Sequence, residues 1–163
     1  MFDKFGEFDS AGELNEAAAG QLAQGDLTAL YELAKENGIE KPDAEDYING
    51  DVAELATPLM AALGKIDVET KELKPVEIVE DWVNYIREYT TEHPEMAVAV
   101  RKKGKSIKGC IAELLKWSFK NAYQVPDEIV KAAGITATVK MGIPGMGLSL
   151  IHISEPTRPR LIS

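Results

Sequence analysis

Apolar residues recur in this chain at three- and four-residue steps, and glycine, proline and capping residues interrupt them. That period belongs to helices, whereas strands would alternate. Ser10-Ala11-Gly12-Glu13 has the form of a capping box, with Ser10 as N-cap and Glu13 at the third helical position. Leu14, Ala18 and Leu22 then share a face, and Gly25 ends the helix. Asp26 caps a second helix with Leu27, Leu30, Tyr31 and Ala34 on its apolar side, closed by Asn37-Gly38. Pro42 opens a short third helix that runs to Ile48 and stops at Asn49-Gly50. Thr57-Pro58 restarts the pattern, with Leu59, Met60, Leu63 and Ile66 as core positions. Lys74-Pro75 starts a longer helix whose buried side holds Ile78, Val79, Trp82, Ile86 and Tyr89, and His93-Pro94 terminates it.

The next stretch, 94–103, predicts a short helix burying Met96, Ala97 and Val100, with Gly104 as its stop. Ser106 caps a helix in which Ile107, Cys110, Ile111, Leu114, Leu115, Ser118 and Ala122 form a broad stripe. Pro126 begins a last short helix through Ala133, residues 136–139 suit a brief extended piece, and 142–147 read as a Gly/Pro loop. The expected fold class is therefore all-α, with seven or eight short helices. An acidic helical part (1–73) is expected to pack on a helical core (74–147) centred on residues 106–122.

Charge sharpens this division. Residues 1–100 hold 7 Lys/Arg against 23 Asp/Glu, and residues 101–147 hold 9 against 3. The reversal begins at Arg101-Lys102-Lys103-Gly104-Lys105-Ser106-Ile107-Lys108. A chain of two signs without a catalytic constellation points to binding charged macromolecules rather than to chemistry. Arg101, Lys102, Lys103, Lys105 and Lys108 are candidates for contacting phosphates, or else a solvated helix junction. Asp43, Glu45 and Asp46 lead the carboxylates that suit a cationic groove on a partner. Apolar content of 45% is ordinary for a soluble globular protein. No apolar run nears the roughly 20 residues of a membrane span, and Met1–Glu7 lacks the pattern of a secretion signal. One cysteine, Cys110, precludes an intrachain disulfide and suits a reducing, cytoplasmic setting.

Other motifs resolve into structure. Gly104-Lys105-Ser106 imitates a P-loop ending, but Ala99 stands where the motif needs its first glycine, and a helix precedes it. Residues 33–50 have the rhythm of a helix-turn-helix, yet the would-be recognition helix carries Asp43, Glu45 and Asp46 and no base within it. Neither metal nor other cofactor is expected: His93 stands by a proline, and the acids lack calcium-loop spacing.

Residues 148–158, Leu-Ser-Leu-Ile-His-Ile-Ser-Glu-Pro-Thr-Arg, resemble the translated end of a transposase-type sequencing-library adapter. Residues 148–163 are accordingly expected to be a non-native tail on a fragment from environmental DNA. Met96-Ala97-Val98-Ala99-Val100-Arg101-Lys102-Lys103-Gly104-Lys105-Ser106-Ile107-Lys108-Gly109-Cys110-Ile111, together with the acidic N-terminal helices, resembles the PcfK-like proteins of conjugative elements and phages. That group includes type II anti-CRISPR proteins. The strongest match is Lys-Ser-Ile-x-Gly-Cys; Phe2–Phe8 and 58–63 match more loosely. The resemblance implies a mobile-element protein that is not an enzyme and inhibits an RNA-guided CRISPR effector nuclease, with or without its guide RNA. The competing expectation is a conjugation accessory or regulator that binds nucleic acid through residues 101–108.

Overall fold

The structure is a computed structural model that describes residues 2–136, 138–141 and 151–154. The fold is all-α: among the described residues there are eight helices and one small antiparallel ribbon. Helix α1 spans Ala11–Ala23, α2 Leu27–Glu36, α3 Lys41–Asn49 and α4 Pro58–Leu73. They are followed by α5 (Ile78–Glu92), α6 (Pro94–Arg101), α7 (Ile107–Lys120) and α8 (Asp127–Ala132). The ribbon has the order β1 (Tyr123–Gln124), β2 (Thr138–Met141), β3 (Ile151–Ser154), with Gln124 opposite Lys140 and Thr138 opposite Ser154.

Local chemistry sets the helix starts. Ser10 Oγ accepts from Glu13 N at 3.1 Å, while Glu13 reaches back to the Asp9 amide at 2.7 Å, one residue before the box position. Asp26 and Thr57 cap α2 and α4 by accepting from Ala29 N and Met60 N. Gly50, at φ 81°, closes α3 in the left-handed conformation that costs glycine nothing. The start of α5 differs from expectation. Lys74 forms a left-handed cap on α4, the chain bends again at Glu77 (φ 55°), and regular helix resumes only at Ile78.

Residues up to Ile111 form one compact unit, and those from Ala112 onward a second. The first unit runs through the division expected near residue 73, because α4 packs chiefly against α6. Its core gathers Leu14, Ala18, Leu30, Leu33, Ala44 and Leu55, all at most 1% exposed. Each fully buried leucine there contributes roughly 1.5–3 kcal/mol of burial free energy. The core expected around residues 106–122 is not the main one: on α7, Ile107, Ile111 and Ser118 are buried, but Leu115, Trp117 and Phe119 are exposed. Apolar spacing marks a face; it does not say what covers it. Within the second unit Val125 and Val130 are buried together. The expected loop at 142–147 lies outside the described residues, as does the tail at 148–163 apart from β3.

Candidate functional site

The basic turn after α6 is organised from beneath by groups that the acidic half supplies. Buried positions on α4 follow helical spacing through Ala61, Ala62, Lys65, Ile66 and Glu69, so two charged side chains lie on the covered stripe. Lys65 is 1% exposed. Its Nζ donates to Glu7 Oε1 at 2.5 Å and to the Lys102 carbonyl at 2.9 Å, with Glu69 Oε1 at 3.9 Å. Glu69 Oε2 accepts from Ile107 N at 2.5 Å, which fixes the first turn of α7. From the N-terminal segment, Asp9 accepts from Lys103 N at 2.9 Å, and Glu7 accepts from Gly104 N at 3.2 Å. The turn is thus shaped by carboxylates before any ligand arrives.

Arg101 belongs to this interior and is 1% exposed. Its Nη2 donates to Asn37 Oδ1 at 2.7 Å, and its guanidinium lies 5.7 Å from the Phe2 ring centre. Nε and Nη1 have no hydrogen-bond partner. Burial pulls its pKa below the usual arginine value, against the opposing charges of Glu7, Glu69 and Glu13. Burial also pushes the Glu69 carboxyl up, more than the Ile107 amide and Lys65 pull it down. For Glu7, burial again acts upward, but hydrogen bonds from Lys65 and Gly104 and the Lys65 and Arg101 charges prevail and hold it low. Arg101 therefore leaves the set of surface phosphate contacts that the sequence suggested. Lys102, Lys103 and Lys105 remain exposed on the turn, and Lys108 in the first turn of α7.

Ser106 Oγ accepts from Gly109 N at 3.0 Å, and Gly104 is left-handed. Those two residues act as cap and helix stop, as the missing P-loop glycine implied. Residues 33–50 form a two-helix hairpin, α2 against α3. Cys110 is half-buried, and burial pushes its thiol up, away from the reactive thiolate.

The carboxylates at 43–46 divide between two surroundings. Glu45 pairs with Lys41 one turn earlier, at 3.1 Å. Asp43 and Asp46, with Glu54, line a groove of about 380 Å³ whose other walls include Val52, Leu55 and Met60. The basic turn and this groove are separate features of the first unit. The sequence reading missed Lys65, Glu69 and Glu7 as an interior charge cluster, although the α4 spacing carries the signal for two of them. It also took Tyr89 for a core residue, whereas Tyr89 is exposed beside Tyr85.

Among the described residues no helix is long and apolar enough to cross a membrane, and no group of three or more His, Cys, Asp or Glu is placed to hold a metal ion. Comparison with protein-family models, curated proteins and solved structures finds no match to this chain.

Proposed function

We propose that this protein is a mobile-element inhibitor that binds a type II CRISPR effector nuclease directly and performs no chemistry itself. The resemblance of residues 96–111 to PcfK-like proteins supplies the target. The observation that carries the reading is the groove lined by Asp43, Asp46 and Glu54, an acidic surface with apolar walls. Such nucleases hold guide and target in positively charged channels, and a folded anionic surface competes there by charge complementarity. Arg101 and Lys65 are withdrawn into the interior, so these two cations of the first unit do not oppose that docking.

The test is target-DNA cleavage by guide-loaded nuclease at increasing inhibitor concentration. Inhibition should weaken with salt and fall at least tenfold when Asp43, Asp46 and Glu54 all become Lys. Unchanged cleavage at stoichiometric excess over a panel of type II nucleases would remove the proposal.

A second reading draws on a different observation. Lys102, Lys103 and Lys105 stand exposed on a turn already fixed by Glu7 and Asp9, with Lys108 exposed at the start of α7, which suits contact with nucleic-acid phosphates. Under it, free RNA or DNA is retarded in a gel, and changing Lys102, Lys105 and Lys108 to Glu abolishes the shift.

A further inference from the structure

Helix α5 carries a row of rings that the fold leaves outside. Tyr85 and Tyr89 are 40% and 39% exposed, and their ring centres lie 6.1 Å apart at an interplanar angle of 24°. Tyr89 stacks on His93 at 3.7 Å and 13°. His93 Nδ1 and the Tyr89 carbonyl oxygen are 2.9 Å apart, which holds the last ring in place. Spacing by four residues puts the three rings one above another, while Trp82, Val83, Ile86 and Thr90 take the buried side of the helix. Tyr85 ends the row, and it is as exposed as Tyr89.

The surroundings of this row are anionic. Asp81 lies one turn before Tyr85, and Glu88 and Glu92 follow Tyr85 and Tyr89 by three residues each; all three are exposed. The basic residue of this helix, Arg87, is committed to Asp67 in an ion pair. Aromatic faces with carboxylates at their edge are complementary to one side chain above others. The guanidinium of arginine is planar, lies flat on a ring and presents several N–H groups to carboxylates at the same time. A nucleic-acid base has the flat surface, but its phosphates would face three uncompensated acids.

We infer that the Tyr85–Tyr89–His93 row, edged by Asp81, Glu88 and Glu92, is a docking surface for an arginine-bearing segment of a partner protein. It is distinct from the acidic groove and does not depend on the nuclease reading. Stacking selects arginine, and the carboxylates contribute attraction and salt dependence.

The experiment titrates the full chain with a capped peptide of alternating Arg and Gly, and with its Lys counterpart, by calorimetry at low and moderate salt. The Arg peptide should bind several-fold more tightly than the Lys peptide. Tyr85→Leu and Tyr89→Leu keep apolar bulk on the helix but remove the ring face, and each should weaken Arg-peptide binding about two- to fivefold. Glu88→Gln with Glu92→Gln should weaken both peptides and flatten the salt response. Tyr85→Leu lies away from the α5–α6 junction, and an unchanged melting temperature for that variant separates lost contact from lost fold. Equal binding of the two peptides would overturn the inference, as would a Tyr85→Leu variant that binds the Arg peptide like wild type. Tyrosine-dependent binding of a single-stranded RNA oligonucleotide in place of the Arg peptide would overturn it too. No nuclease enters the measurement, so its failure leaves the inhibitory proposal where it stands.

Discussion

At Gly64 the backbone of α4 touches the turn after α2 with no room between them. A Cβ built on Gly64 would meet the Asn37 carbonyl oxygen at 2.2 Å, and one on Gly38 would meet the Gly64 oxygen at 2.3 Å. Gly38 is also left-handed, at φ 70°. This close approach seats Asn37, which is fully buried, donates to the Leu33 carbonyl through Nδ2 and accepts from Arg101 through Oδ1. Both neighbours are backbone and neither can swing aside. Gly64→Ala should therefore destabilise by about 1–3 kcal/mol, seen as a lower urea midpoint at unchanged slope. Lys65 presents a second residue-scale case. Replacing it with Met keeps much of the volume but leaves the Glu7 and Glu69 carboxylates and the Lys102 carbonyl without their ammonium. The loss should be about 3 kcal/mol, larger than for most single substitutions.

Between elements, the joint of α4, α6 and α7 depends on protonation in two opposing ways. Glu7 has a folded value below its unfolded one, which for Glu is about 4.3. Its contribution is full above the unfolded value and is lost as pH falls through the folded one. Glu69 is shifted upward, so its ionised form costs stability above the folded value, and acidification through that value relieves the cost. Glu7→Gln should thus lose less stability than wild type between about pH 5 and 3. Glu69→Gln should lose ground against wild type as pH drops from neutral towards 4. Urea denaturation across pH checks both signs.

The helices themselves were legible before the structure. Caps at Ser10, Asp26, Thr57 and Ser106 and stops at Gly25, Gly38, Gly50 and Gly104 mark most boundaries, because those signals are local. The joint was not legible. Glu7 and Lys65 are 58 residues apart, and no periodicity pairs them. Burial of Arg101 was hidden by its place in a run of bases, where every cation reads as solvated. Tyr89 was misassigned because an aromatic at helical spacing fits either the core or the edge of a stripe.

Across the first unit as a whole, opposite signs are less segregated than the linear sequence suggests. Acidic Glu7 and Asp9 lie against the basic turn, and Lys4 donates to Glu32 through its ammonium and to Glu36 through its backbone amide, across 28 and 32 residues. The carboxylates around Asp43 and Asp46 form the anionic surface on which the inhibitory proposal depends. Reversing these charges, or raising salt from about 0.05 to 0.3 M, should slow association with a loaded nuclease more than it speeds release, because exposed charge acts chiefly on encounter. Stopped-flow or biolayer kinetics would separate the two rates.

The bonds from Asp9 to Lys103 and from Glu7 to Gly104 close over 94 and 97 residues. A growing chain on the ribosome therefore makes Glu7 and Asp9 long before the amides of Lys103 and Gly104 exist. Until residue 104 clears the exit tunnel, the carboxylates of Glu7 and Asp9 lack these two amide donors, and Lys65 lacks the Lys102 carbonyl. Nascent chains stalled short of that length should be clipped near residue 9 faster than the released protein.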